Sequence, residues 1–429
     1  MRVLYVSQYF PPEMGAPAAR VYDLARLWAA QGCCVTVLTG FPNHPTGAVH
    51  PDYRKKIWRL FVRERVAGVE LLRGWLYPAA NKGRLKRCLN YFSFMLSAIF
   101  FGTFCVRRPD VIIATSPQLL VGLAGYALAR LWRVPLVFEV RDLWPESLIA
   151  VEAVRPESGL IRALDRVAMF LYREAASIVT VTDAFKRIIV DRGIDSNKIH
   201  VIKNGVDLQV FHPGVAATLL PNEWGVHDRF VISYIGTLGM AHKIDTILDV
   251  AERLRILPDI RFVLVGEGAE KDALKAQAVE RRLSNVIFLD QQPRPRVAEL
   301  IAASQVGLVL LRRSELFRTV IPSKMFEYMG MAKPIILGVP GESQAILEQA
   351  GAGLHIPSED VSALETAILT LYHDGRLRAR LGANGRRYVE CFHDREKLAA
   401  NYTVCLKEIV YGPAVGSESP TATLKTDSL

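Results

Sequence analysis

Apolar and polar positions along the chain fall into two alternating kinds of block. Short runs rich in β-branched residues, "RVLYVS", "CVTVLTG", "DVIIATS", "PLVFEV", "ASIVTVT" and "KIHVIKNG", are interleaved with stretches of helical period such as "APAARVYDLARLWAAQG". Strand, helix and strand in this rhythm predict a parallel sheet with crossover helices. The rhythm then restarts with "RFVISYIG", "KIDTILDVAERLRI", "IRFVLVGEG", "NVIFLD", "VGLVLL", "KPIILGV" and "AGLHIP". The expectation is an α/β protein with two parallel-sheet domains, 1–203 and 230–392, joined by a linker over 204–229 that is rich in Gly, Pro and Asn. A helix over 393–411 is expected to cross back to the first domain, and 412–429 reads as a disordered tail.

One block breaks the rhythm. Cys88 to Val106 runs nineteen residues without a charge, long enough to approach the thickness of a bilayer. It is also the only stretch available to connect the strand-like "VELLRGW" to "DVIIATS", and parallel neighbours need a crossover. It is therefore read as a helix of the first domain, buried on one face. A plain buried crossover and one that touches lipid both satisfy the pattern. Charge favours an anionic surface nearby: of a net +10, an excess of nine sits between positions 50 and 110, where thirteen Lys or Arg face four Asp or Glu. Arg54, Lys55, Lys56, Lys82, Arg84, Lys86 and Arg87 are its chief members. Lipid is favoured over nucleic acid, since no helix-turn-helix, RNP-like or zinc-finger pattern accompanies them. The predicted attachment is peripheral and mainly electrostatic, with limited apolar contact. Six cysteines without metal-ligand spacing suggest free thiols in a reducing cytoplasm, and no signal peptide is recognised at the N-terminus.

Two such sheets imply a cleft at the carboxyl ends of their strands, so the loops there carry the candidate chemistry. In "PPEMGAPAAR", Gly15 permits close backbone approach and Pro17 suits a first helical turn. In "EVRDLWPES", Arg141 and Asp142 either project into the cleft or pair with each other. "YIGTLGMAHKIDTILD" offers Gly236, Gly239 and Lys243, and "LVGEGAEKDAL" offers Gly266 and Gly268; two Gly-containing turns after successive strands point to a nucleotide phosphate. In "TVIPSKMFEYMGMAKPIILG", Ser323 is placed as an N-cap, so Lys324 and the first amides face an anion. Glu327, on the same helical face, would accept two vicinal hydroxyls. An ordinary capped helix with a solvated Glu is the plainer alternative.

The segments "NGVDLQVFHPG", "YIGT" followed by "HKIDTILDVAERL", "FVLVGEG" and "IPSKMFEYMGMAKPII" resemble the retaining nucleotide-sugar glycosyltransferases of family 4. The resemblance implies the GT-B fold, two Rossmann-like domains facing across a cleft. It is nearest to bacterial O-antigen, capsule and exopolysaccharide transferases, including amino-deoxyhexose transferases. It further implies that Lys243 neutralises the leaving diphosphate, Glu327 holds the ribose, and Ser323 and Lys324 contact phosphate or donor sugar. The loop carrying Glu267 and the segment "LDQQPRPRVAEL" would flank the base, and Arg141 falls where many relatives place a His. Three positions depart from the pattern: Thr319 replaces the first carboxylate of a Glu-x7-Glu pair, Thr237 replaces an Arg, and Pro322 removes an amide.

The implied reaction moves a sugar, an N-acetylated amino or deoxy-amino hexose, from a nucleotide diphosphate, UDP by preference, to a polyprenyl-diphosphate-linked acceptor. It would take place on the inner face of the plasma membrane. No Asp-x-Asp occurs, so no metal is expected, and no cofactor beyond the nucleotide sugar that is itself a substrate. Rival readings are a sugar-nucleotide epimerase of the same shape and a non-catalytic, membrane-bound nucleotide-sugar-binding protein. A dinucleotide-dependent oxidoreductase is disfavoured, because the first turn lacks G-x-G-x-x-G.

Overall fold

The computed structural model describes residues 1–44, 46–79, 84–150, 155, 157–217 and 228–412. Lys82, residues 218–227 of the stretch read as linker, and the tail from 413 onward lie outside the described residues.

The first sheet contains β1 (Arg2–Val6), β2 (Cys34–Gly40), β3 (Phe61–Val66), β4 (Val69–Gly74), β5 (Val111–Thr115), β6 (Leu136–Val140), β7 (Ser177–Thr180) and β8 (Ile199–Val201). Their order is β3-β4-β2-β1-β5-β6-β7-β8, parallel throughout except for β3, which pairs antiparallel with β4. The second sheet contains β9 (Phe230–Ile235), β10 (Ile260–Val265), β11 (Val286–Leu289), β12 (Val306–Leu310), β13 (Ile335–Gly338) and β14 (Gly353–His355). Its order is β11-β10-β9-β12-β13-β14, all parallel. Helices cover both faces of each sheet, so every residue of β5, β6, β9 and β12 is buried. That double burial is why these strands read as continuous apolar runs.

Helix Arg84–Cys105 is the crossover from β4 to β5. Phe94, Ala98 and Phe101 enter the core beneath it. Its opposite face is an unbroken apolar stripe: Leu85, Leu89, Phe92, Leu96, Phe100 and Phe104 recur at steps of three or four residues and are 46–75% exposed. A third of the helix's most apolar window is buried. Beside the stripe Phe61 packs on Phe101, and the nearby turn carries Trp58, 86% exposed, and Leu60. The outward apolar surface on this side of the first domain is therefore broad.

The last helix, Arg395–Tyr411, lies on helix Ala16–Ala30 of the first domain. Tyr402 meets Trp28 edge-on at 5.1 Å, and the Trp28 indole N–H donates to the Ala399 carbonyl at 3.2 Å. This helix ties the end of the second domain to the face of the first sheet opposite helix Arg84–Cys105.

Candidate active site

The turns after β1, β5 and β6 and those after β9, β10 and β12 form the two walls of the cleft. On the second wall, helix Lys324–Gly330 follows the turn after β12. The Lys324 ammonium lies 3.8 Å from the centroid of the Tyr234 ring and has no hydrogen-bond partner. Burial pushes its pKa down to about 7, against the weaker pull of Glu327. Gly236, at φ 153°, is what makes room: a Cβ there would fall 2.6 Å from Lys324 Nζ. His242 stands nearby, its pKa pushed down to about 3 by burial and by Lys324, with Nδ1 3.4 Å from the Leu310 carbonyl. A buried amine with a neutral imidazole beside it and no acid bonded to it is a site for an incoming anion.

Lys243 is placed differently. It adopts φ 51° and its ammonium is 2.5 Å from Asp245 Oδ2, with the side chain 43% exposed. Among the described residues, Lys324 is thus a buried cation of this wall without a partner, while Lys243 is held by Asp245. Glu327 lies among Arg294, Arg395 and Lys324, yet burial still raises its carboxyl above the usual range. Ser323 occupies the N-cap position of a seven-residue helix without making a side-chain cap bond, contrary to the capping expected from the sequence. The Thr319 hydroxyl is turned to the Leu316 carbonyl at 2.6 Å, and Thr237 is exposed, its carbonyl accepting from Tyr234 Oη at 2.8 Å. Glu267 pairs with Lys271 at 2.5 Å. Gly266 has a packing role, since a Cβ would sit 1.9 Å from the Gly236 carbonyl oxygen; it lets the turns after β9 and β10 touch.

On the first wall, Gly15, at φ 133°, precedes helix Ala16–Ala30. Arg141 Nη1 donates to the Pro17 carbonyl at 3.3 Å and its buried Nε is unpartnered. Asp142 does not pair with Arg141 by hydrogen bond; it accepts from Ser147 Oγ, and burial pushes its pKa up to about 6. Both backbone amides, of Arg141 and Asp142, donate to Ser116 Oγ, at 2.8 and 3.3 Å. Beneath them lies Glu139, which sequence reasoning missed. It is fully buried, accepts from Tyr5 Oη at 2.6 Å and from Arg20 Nε at 3.0 Å, and Arg20 holds its carboxyl below the usual range in spite of burial.

Two further acids join the walls. Asp23, fully buried in helix Ala16–Ala30, accepts from Arg26 at 3.3 Å, from Arg294 at 2.9 and 3.0 Å, and from Arg395. Glu342 of the second domain accepts the amides of Asp183 and Ala184 at 3.1 and 3.0 Å, at the start of a helix of the first. Neither was legible in the sequence, where each resembles a solvated helical acid.

Two parallel-sheet domains clasped in this way, with their strand ends meeting at a cationic cleft, have the GT-B architecture of nucleotide-sugar glycosyltransferases. Sucrose-phosphate synthase from Thermosynechococcus elongatus shares the fold at a TM-score of 0.72 and 19% identity, over 95% of this chain and 98% of that one. Anabaena HepE, solved with UDP-glucose, does so at 0.71 and 16%, over 95% and 100%. Residues 15–205 match the Glycosyl transferase 4-like domain and residues 219–388 the Glycosyl transferases group 1 domain, and the chain belongs to the glycosyltransferases built from this pair. Among relatives, the putative colanic acid biosynthesis glycosyl transferase WcaI of Escherichia coli is 24% identical over 417 residues, 94% of this chain and 98% of the relative. The probable glycosyltransferase WbjE of Pseudomonas aeruginosa is 27% identical over 303 residues, 68% and 74%.

Proposed function

We propose that the protein is a retaining glycosyltransferase of bacterial surface polysaccharide synthesis. It moves an N-acetylated amino or deoxy-amino hexose from a UDP-linked donor to a polyprenyl-diphosphate-linked acceptor at the cytoplasmic face of the membrane. The observation that carries the reading is the Lys324 ammonium, buried without a partner at the Gly236 turn, where a donor diphosphate would complete its charge. The relatives WcaI and WbjE and the UDP-glucose bound to HepE support it.

In this reading Lys324 stabilises the negative charge that develops on the leaving diphosphate. Arg141, across the cleft, faces the donor sugar, and Glu327 takes the ribose hydroxyls. The acceptor hydroxyl attacks from the face the diphosphate leaves, its proton passes to the departing phosphate oxygen, and the anomeric configuration is retained. The positive charge comes from lysine, so no divalent metal is required. Helix Arg84–Cys105 rests its apolar stripe in the bilayer, and Arg54, Lys55 and Lys86, all exposed, meet anionic headgroups.

The test is transfer of labelled sugar from a panel of nucleotide sugars to a lipid-linked acceptor, in the presence of excess EDTA. Transfer from a UDP-sugar is expected to persist. Loss restored by Mg²⁺ removes the metal-free mechanism. Conversion of the donor without acceptor makes the protein an epimerase, and binding without either reaction makes it non-catalytic.

A second outcome concerns Glu327. Glu327→Gln retains the shape but removes the charge, and is expected to weaken UDP binding by about 1.5–3 kcal/mol, the range for hydrogen bonds to a charged group. Calorimetric titration measures it; unchanged affinity removes Glu327 from the ribose site.

A further inference from the structure

Four elements meet behind Glu327. Asp23 comes from helix Ala16–Ala30 of the first domain, Arg294 from the start of helix Arg294–Ala303 in the second, Arg395 from the start of the last helix, and Glu327 itself from helix Lys324–Gly330. Asp23 is the hub. Its side chain is fully buried, its two oxygens accept from Arg294 Nη1 at 3.0 and 2.9 Å, and Oδ2 also takes Arg395 Nη1. Arg26 adds a third contact at 3.3 Å and reaches Asp207 with its other end at 2.5 Å. Burial alone would raise the Asp23 carboxyl, but Arg395, Arg294 and Arg26 hold it below the usual range.

These contacts leave both charge and hydrogen bonding incomplete. Arg26, Arg294 and Arg395 are paired with two carboxylates, Asp23 and Asp207, so one positive charge stays unmatched within the group. The Nε and Nη2 atoms of Arg294 are buried without a partner, and its guanidinium lies 5.6 Å from the centroid of the Phe211 ring. The neighbouring carboxylate is Glu327. Burial raises its carboxyl, and of the charges that oppose this Arg294 is the strongest, followed by Arg395 and then Lys324. Yet among the described residues neither guanidinium is ion-paired to Glu327: Arg294 is turned to Asp23 through Nη1, and Arg395 divides its donors between Asp23 and the Gly205 carbonyl.

Asp23 therefore governs what Glu327 can do. Held by Asp23, the two guanidiniums supply a positive potential that favours the ionised Glu327 carboxylate while its oxygens are left to accept hydroxyls. Released from Asp23, they would close on Glu327 and occupy those oxygens as an ion pair. We propose that Asp23 is a positioning residue of the donor site, a first-domain carboxylate that restrains Arg294 and Arg395 so that Glu327 of the second domain can receive the ribose hydroxyls. The ribose contact is then made at full strength only while the two domains are clasped. The assignment rests on the ribose role proposed for Glu327 above.

The full-length protein is titrated calorimetrically with UDP and with dideoxyuridine diphosphate, which lacks both ribose hydroxyls. The unsubstituted protein is expected to favour UDP about tenfold or more, the strength of hydrogen bonds to a charged group. Asp23→Asn should lower UDP affinity to near that of the dideoxy analogue, while affinity for the analogue itself stays within about twofold. A merely structural role weakens both nucleotides alike, so equal losses, or an undiminished preference for UDP, overturn the proposal. Should Asp23→Asn fail to fold because it leaves buried guanidiniums uncompensated, the charge-balanced double variant Asp23→Asn with Arg294→Gln is measured in its place. Arg395 is still released towards Glu327 there, so the same loss of preference is expected, and a retained preference overturns the proposal. Failure of the unsubstituted protein to discriminate, or a preference that survives Glu327→Gln, removes Glu327 from the ribose and the role of Asp23 with it. Loss of preference in Glu327→Gln but not in Asp23→Asn removes the role of Asp23 alone, so the two failures are distinguishable.

Discussion

Replacing Lys324 with Met lowers sugar transfer about a hundredfold or more, the cost of losing a positioned charge from a developing diphosphate. The side chain keeps its length and its contact with the Tyr234 ring, so the fold is expected to survive; Met in place of a buried, unpaired ammonium removes a destabilising element of the free protein. Lys243→Ala is expected to cost less, because its ammonium already belongs to Asp245 in the free protein. The pH dependence separates this assignment from a merely structural role. The folded-state pKa of Lys324 is about 7, against about 10.4 in an unfolded chain. Between these values the unfolded chain holds the extra proton, so the stability of the ligand-free protein rises with pH across that window. UDP affinity moves oppositely: the protonated amine is the binding form, and affinity falls about tenfold per pH unit once pH is well above 7. Both slopes should vanish in Lys324→Met. A variant with wild-type turnover, or one that keeps the affinity slope, would place the diphosphate elsewhere.

The distribution of what was legible follows from which forces are local. Strands buried on both faces leave continuous apolar runs, so β5, β6, β9 and β12 were readable as they stand. β3 was not, because "FVRERV" alternates apolar and charged residues as an edge strand does, and only its pairing with β4 defines it. Lys324 and Glu327 were readable as residue types at a helix start. Their physical state was not, since the isolation of Lys324 depends on Tyr234, Gly236 and His242, some eighty to ninety positions earlier in the chain. The same holds for Asp23. On its own helix it resembles a solvated acid, and its meaning comes from Arg294 and Arg395, more than 270 residues away. Gly266 was read as a phosphate turn, and the close approach it permits is to another turn of the same wall.

Membrane attachment is expected to survive 1 M salt and to fail when the apolar stripe is also removed. Each basic residue near an anionic leaflet contributes about 1 kcal/mol, so the cluster of seven contributes at most about 7 kcal/mol at low salt, less what Lys56 loses to its pairing with Glu64. Screening shortens from about 10 Å at 0.1 M to about 3 Å at 1 M, and most of that attraction is lost. Leu85, Leu89, Phe92, Leu96, Phe100 and Phe104 remain. Full burial of such side chains is worth about 1.5–3 kcal/mol each, so half-immersion of the six gives on the order of 5–9 kcal/mol, which salt does not screen. The two contributions are comparable, and neither alone releases the protein. Phe92→Ser, Leu96→Gln, Phe100→Ser and Phe104→Gln, combined in one chain, alter only positions that are half or more exposed and leave Phe94, Ala98 and Phe101 in the core. In sedimentation assays with anionic vesicles, the unsubstituted protein should stay largely in the pellet at 1 M salt, and the quadruple variant should move to the supernatant at that salt while remaining bound at low salt. Complete release of the unsubstituted protein by salt would mean that the stripe does not enter the bilayer. Retention of the quadruple variant until detergent is added would mean that the protein is anchored by something other than this exposed face.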